Sequence, residues 1–216
     1  MLHRFPSAGA LPERLALATR PDAPLLLLAA DEALPVRLAV AANPHAPRLA
    51  DALLARDPVA EIRASLARKL ALHATELAEL GWARLRRLAR DESPQVRHAV
   101  ADTLTDLPDA PHDLVLTLAR DPEPGVSEPL IRLSRVLTEP DLLELVREPQ
   151  ARPSVARRLN LTEPVARAIL LSGDAAAMAA LRRNPTARLP AEADDKAMTA
   201  HGQLAPKVGV IEASQI

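Results

Sequence analysis

Aliphatic residues recur along this chain in short runs with the spacing of one helical face. Val36 and Val40, Ile62 and Leu66, and Val96 and Val100 each stand four apart, so each pair lies on one side of a helix. These runs belong to a longer unit that aligns without gaps. Leu28-Ala29-Ala30-Asp31 is followed by Val36-Arg37 and Val40-Ala41, and Leu54-Ala55-Arg56-Asp57 by Ile62-Arg63 and Leu66-Ala67. Leu88-Ala89-Arg90-Asp91 is followed by Val96-Arg97 and Val100-Ala101, and Leu118-Ala119-Arg120-Asp121 by Val126-Ser127 and Leu130-Ile131. A proline always falls between the Asp and the first aliphatic residue: Pro35, Pro58, Pro94, and both Pro122 and Pro124.

Leu-Ala ends one helix in this pattern and Asp occupies the turn, where its carboxylate can accept from the free N–H groups that open the next helix. Proline then stands in the first helical turn, where its missing N–H costs nothing. The elements Pro21-Asp22-Ala23-Pro24, Pro44-His45-Ala46-Pro47 and Pro108-Asp109-Ala110-Pro111 mark where the preceding helices start. Thr75-Glu76 replaces that element ahead of Asp91, as the N-cap of a longer helix to Arg90. The pattern predicts helix, Asp turn and helix in repetition, with second helices over 35–42, 61–70 and 94–104.

The second half carries different punctuation. Leu137-Thr138-Glu139-Pro140 recurs as Leu161-Thr162-Glu163-Pro164, each with Thr as an N-cap, and Thr138 with Asp141 approximates a capping box. Asn43, Asn160 and Asn184 are expected to end helices in the left-handed conformation, and Gly173-Asp174 to stop one helix and cap the next. Helices are predicted near 165–172, 174–183 and 191–201, and Gly202 to Ile216 as a flexible tail. A single domain over 1–201 results, clearest over about 20–135 and degenerate over 136–201.

Composition narrows the picture. Aromatics are 1% of the chain, there is no Cys or Tyr, and Pro numbers 21. So many prolines would break long helices and suit many short ones. The Ala-, Leu- and Arg-rich remainder favours helix over strand. A formal net charge of −1 supplies no global attraction for nucleic acid or anionic membrane. Met1 to Pro6 lacks the pattern of a signal peptide, and the greasiest run, Pro24 to Ala30, is far shorter than the ~20 residues that span a bilayer. These features predict a soluble, cytoplasmic protein.

The Asp-to-Arg spacing of Asp31/Arg37, Asp57/Arg63 and Asp91/Arg97 resembles the signature of HEAT and related armadillo-type repeats. The resemblance implies an all-α solenoid, a right-handed superhelix of about six stacked hairpins with the second helices on its concave side. It also implies a ladder of Asp and Arg along the inner turns, made of Asp31, Arg37, Asp57, Arg63, Asp91, Arg97 and Asp121, and ending where Ser127 replaces Arg. Residues from about 88 to 190 further resemble an uncharacterised bacterial HEAT-like family. That likeness is carried by Ala89-Arg90-Asp91, Leu107-Pro108-Asp109-Ala110-Pro111, Leu137 to Leu143, Ala156-Arg157-Arg158, Gly173-Asp174 and Arg183-Asn184-Pro185.

Candidate chemistry is sparse. No Gly-x-Ser-x-Gly, phosphate-binding loop or dinucleotide fingerprint occurs, so a non-catalytic protein without cofactor or metal is expected. His98 and Asp102 stand four apart with Arg68 one repeat earlier. They read either as part of a concave binding row or as a solvated surface row. Trp82, the sole Trp, reads as seam packing or as a partner anchor. Arg86 and Arg87 lie in the densest basic run, which reads as solvated or ladder-paired, or as a phosphate-binding surface. The leading expectation is a scaffold or adaptor that binds another protein. The alternative is a nucleic-acid-binding protein, possible DNA repair of the glycosylase type included.

Overall fold

The structure is a computed structural model and describes residues 9–72 and 79–190. The cap expected at Thr75, the helix expected over 191–201 and the tail 202–216 lie outside the described residues. Within them there are thirteen helices and no strand. The odd-numbered helices are α1 (Leu11–Ala18), α3 (Leu34–Ala42), α5 (Ala60–Leu72), α7 (Pro94–Leu104), α9 (Pro124–Leu133), α11 (Arg152–Ala156) and α13 (Ala175–Arg182). Between them run α2 (Leu25–Leu28), α4 (Arg48–Leu54), α6 (Glu79–Leu88), α8 (His112–Ala119), α10 (Glu139–Leu145) and α12 (Glu163–Leu171).

Contacts follow chain order. Each odd-numbered helix packs against the next odd-numbered one, and each even-numbered helix packs against the odd-numbered helix that follows it. The repeated aliphatic positions fill the shared interior. Val36, Val40, Ile62, Leu66, Val96, Val100, Val126 and Leu130 are all completely buried. Each such side chain contributes about 1.5–3 kcal/mol relative to exposure. Alanines allow the closest approach, with Ala64 and Ala67 of α5 and Ala99 of α7 also completely buried.

The proline logic holds locally: α3, α7 and α9 carry Pro in their first turn. The Asp caps act one position earlier than expected. Asp31, Asp57, Asp91 and Asp121 each accept, through Oδ1, from the N–H two residues on, at 2.9 Å. That N–H belongs to the residue just ahead of the helix (Ala33, Val59, Ser93, Glu123), so the carboxylate shapes the turn and the first-turn donors stay free of it.

Two helix-end expectations are corrected. Asn160 is left-handed at φ 55°, as is Gly173 at φ 68°, but Asn43 is extended at φ −73° and Asn184 is not left-handed. Their side chains bridge helices instead. Thr162 occupies the N-cap position of α12, yet its hydroxyl caps nothing and is buried without a hydrogen-bond partner. Asp174 does cap α13, accepting from the Ala177 N–H at 2.9 Å.

Candidate interaction surface

The odd-numbered row is tied together at the turns that lead into its helices. Arg37 Nε donates to Asp57 Oδ2 at 2.7 Å, Arg63 Nε to Asp91 Oδ2 at 2.7 Å, and Arg97 Nε to Asp121 Oδ2 at 2.6 Å. Each arginine also reaches back through Nη1 to the carbonyl of its own turn: Asp31 at 2.8 Å, Asp57 at 2.7 Å and Asp91 at 2.9 Å. One guanidinium therefore holds two successive turns. Only arginine has enough donors in a rigid fork to do this. The carboxylate divides its work, Oδ2 to the arginine and Oδ1 chiefly to its own turn.

Burial makes these charges consequential. Arg63 and Asp91 side chains are 8% and 11% exposed. Burial opposes ionisation of Asp91, but the hydrogen bond from Arg63 and that from the Ser93 N–H outweigh it and hold the carboxyl below its usual range. The bond to Asp91 raises the Arg63 guanidinium further, against the effect of burial.

A further rung precedes the repeats recognised in the sequence. Arg14 Nε donates to Asp31 Oδ2 at 2.9 Å, and Nη1 reaches the Gly9 carbonyl at 2.7 Å. The signal was present: Leu11-Pro12-Glu13-Arg14-Leu15-Ala16-Leu17-Ala18 matches Leu34-Pro35-Val36-Arg37-Leu38-Ala39-Val40-Ala41 at six of eight positions. It was hidden because no Asp stands six residues before Arg14. At the other end, Ser127 bonds only its own helix, through the Glu123 carbonyl at 3.3 Å. Beyond it, Arg152 donates to the Val146 carbonyl at 2.7 Å and lies 3.9 Å from Asp174.

A second set of bridges joins the far ends of the odd-numbered helices. Asn43 Nδ2 donates to the carbonyls of Ala18 and Arg20 at 2.9 and 3.2 Å. Asn184 Nδ2 donates to those of Ala156 and Arg158 at 2.9 and 2.7 Å. Arg158 does the same for Ile131 and Ser134, both at 2.7 Å, and burial lowers its pKa. The carbonyls that a helix end leaves free are thus satisfied by the next helix along.

Polar contacts also link the even-numbered helices to their surroundings. Lys69 of α5 is paired with Asp51 of α4, both buried, and burial pulls the ammonium below its usual range despite that partner. His112 Nε2 lies 2.8 Å from Asp141 Oδ2, which also accepts from the Thr138 N–H and hydroxyl at 2.7 and 2.6 Å. Thr138 and Asp141 thus form half a capping box, with the hydroxyl donating to the aspartate. Burial of Asp141 disfavours its charge, but these bonds prevail and lower its pKa.

The partner candidates fall on different surfaces. Arg68 of α5 and His98 and Asp102 of α7 are exposed. His98 Nδ1 and Asp102 Oδ2 are 3.3 Å apart. His98 abuts α9: a Cβ placed on Gly125 would stand 3.6 Å from its ring. Next along the row, Glu128 lies 3.5 Å from Arg132 and 3.1 Å from Arg157 of the region after α11. Trp82 is half-buried against the core. Arg86 is engaged by Asp113 at 2.7 Å, whereas Arg87 is exposed. Among the described residues no group of three His, Asp or Glu side chains converges as metal ligands would. No described helix is long and apolar enough to cross a membrane.

Comparison with known proteins adds one finding. Residues 126–206 match the family described as an uncharacterised protein conserved in bacteria (DUF2336). The likeness expected from residue 88 therefore begins only at Val126, inside α9, and the Ala89-Arg90-Asp91 and Leu107 to Pro111 segments lie outside it. No curated protein and no solved structure matches the chain.

Proposed function

We propose that this chain is a non-catalytic, cytoplasmic scaffold of the HEAT-like α-solenoid kind, which binds another protein through the surface of its odd-numbered helices. Chain-order packing and the Arg–Asp rungs support the solenoid reading, because each unit buries its apolar face only against its neighbours. The observation that carries the functional reading is the charge pattern of the exposed row. Arg68, the His98–Asp102 pair, Glu128, Arg132 and Arg157 mix both signs across α5, α7, α9 and the end of α11. A phosphate backbone calls for one sign of charge, whereas a mixed row complements the mixed surface of a protein.

Affinity pull-down from native lysate tests the proposal, comparing the natural sequence with Arg68→Glu/His98→Glu. Both positions are exposed, so the variant should fold, and circular dichroism checks that it does. A protein captured by the natural chain and lost from the variant supports the reading. No captured protein, or an unchanged set, counts against it.

A further inference from the structure

The even-numbered helices show a second surface of different character. Four residues before each repeat Asp stand Leu27, Leu53, Arg87 and Thr117, an outward position that is apolar in the first two repeats and polar in the next two. Leu27 and Leu53 are 57% and 45% exposed, and Leu26 and Leu49 on the same two helices are 41% and 69% exposed. So many exposed leucines on adjacent helices are unlike the single exposed apolar residues that ordinary surfaces carry. Helices α2 and α4 are in contact, and between their starts lies a groove of about 340 Å³ lined by Pro21, Pro24, Leu26, Leu27, His45 and Pro47.

The border of this surface is mostly basic, and the exposed acid beside the groove, Asp22, is already paired with Arg20 at 2.7 Å. Arg48 opens α4 and Arg56 follows it, and Arg87 and Arg90 stand at the end of α6, all exposed. None of these four side chains has a partner among the described residues. Arg84 of α6 donates to the Arg48 carbonyl at 3.0 Å, which sets α6 beside α4. Arg63 bonds both the Asp57 and Asp91 turns, which brings Arg56 and Arg90 into neighbouring positions. Helix α2 contains no acid, and the sole acid of α4, Asp51, is buried against Lys69. In the next repeat the arginine equivalent to Arg56 and Arg90 is Arg120, and it is engaged by Glu144 and lies 3.7 Å from Glu148. At this repeat position, among the described residues, unpartnered arginine thus stands beside the leucines and is absent from the next repeat.

We infer that the face formed by α2, α4 and the end of α6 is a docking site for an amphipathic acidic segment of a partner protein. Its apolar side chains enter the proline-lined groove and cover Leu27, Leu49 and Leu53, while its carboxylates meet Arg56, Arg87 and Arg90. The leucines alone would fit many occupants; the arginine border selects an acidic one. The groove between the helix starts gives inserted side chains a seat that a flat lipid surface would leave unused. The site is carried by other helices than Arg68 and His98, so its failure and the failure of the pull-down are separately readable.

A displayed library of random peptides of about 16 residues, long enough for roughly four helical turns, is panned against the full chain. Enriched peptides are then measured by fluorescence anisotropy. The expected result is enrichment of Asp and Glu with apolar residues at three- and four-residue spacing. Binding should weaken by about tenfold or more in Leu27→Glu/Leu53→Glu, and similarly in Arg87→Glu/Arg90→Glu. Leu49→Glu is the reserve variant if circular dichroism shows the first to be unfolded. The inference is overturned if enriched peptides are basic, if they bind both variants unchanged, or if no peptide is enriched. It is equally overturned if the leucine variant abolishes instead binding to phosphatidylglycerol vesicles, binding to a DNA duplex, or self-association in light scattering.

Discussion

Replacing Arg63 with alanine should be among the most damaging single changes to this protein. The guanidinium makes three bonds: to Asp91 Oδ2 at 2.7 Å, to Asp91 Oδ1 at 2.8 Å and to the Asp57 carbonyl at 2.7 Å. Its loss leaves a carboxylate that is 11% exposed with the Ser93 N–H at 2.9 Å as its remaining close donor. Removing one partner of such a buried pair costs about 3–5 kcal/mol, a large part of the roughly 5–15 kcal/mol that keeps a domain folded. Urea denaturation followed by circular dichroism reads the cost, provided the slope is unchanged between variants. Arg20→Ala is the control, since the Arg20–Asp22 pair is exposed and should leave the midpoint unmoved. The pH dependence supplies a second reading. Asp91 has a folded pKa below its unfolded one, so its contribution is present above the unfolded value and disappears as pH falls through the folded value. The gap between the natural chain and Arg63→Ala should therefore narrow between pH 7 and about pH 3. A cost below about 1 kcal/mol, the scale of a surface pair, or a gap that ignores pH, refutes the reasoning.

Four other outcomes are expected. Lys69→Met should cost about 3–5 kcal/mol by stranding Asp51, and Lys69→Met/Asp51→Leu should recover most of it; equal losses in both would contradict the pairing. Because burial lowers the folded pKa of Lys69 below its unfolded value, stability should rise as pH climbs through the interval between them, and this rise should vanish in Lys69→Met. The chain has no Tyr or Cys to obscure that interval. Asn184→Ala should cost about 1–2 kcal/mol in the same assay, because the Ala156 and Arg158 carbonyls lose their donor. Asn184→Gly should be no better, and a rescue by glycine would show that backbone conformation mattered instead. Thr162→Val should be neutral or stabilising by up to about 1 kcal/mol, since the hydroxyl it removes is buried and unpartnered. A clear loss there would reveal a bond absent from this structure.

Helix positions were legible because apolar spacing and proline placement are local properties. Val36 and Val40 announce a buried face whatever they pack against, and Pro94 announces where α7 begins. Contacts between distant segments left weaker traces. Asp51 and Lys69 are ordinary charges on two helices, and nothing local shows that the interior brings them together. Asn43 and Asn184 carried a readable cue, Asn-Pro at a helix end, but that cue fits a left-handed stop as well as a side chain reaching across to the preceding helix. The arginines of the α2–α4–α6 face, which have no partner among the described residues, were equally invisible. Arg86 and Arg87 are adjacent in sequence, yet only the structure separates the one held by Asp113 from its exposed neighbour.

The four rungs join residues 17, 20, 28 and 24 positions apart, yet the bonds they form are nearly the same. The variation in length falls beyond the rungs, on the far ends of the odd-numbered helices, from eight residues in α1 to thirteen in α5, and on the even-numbered helices and loops, from the four residues of α2 to the ten of α6. One side of the protein therefore keeps a constant pitch while the other absorbs insertions and deletions. A turn could be added to α4 or α8 and the spacing of the fastened side would not change. Changes in length can thus accumulate on the variable side without disturbing the bonds that hold successive turns together.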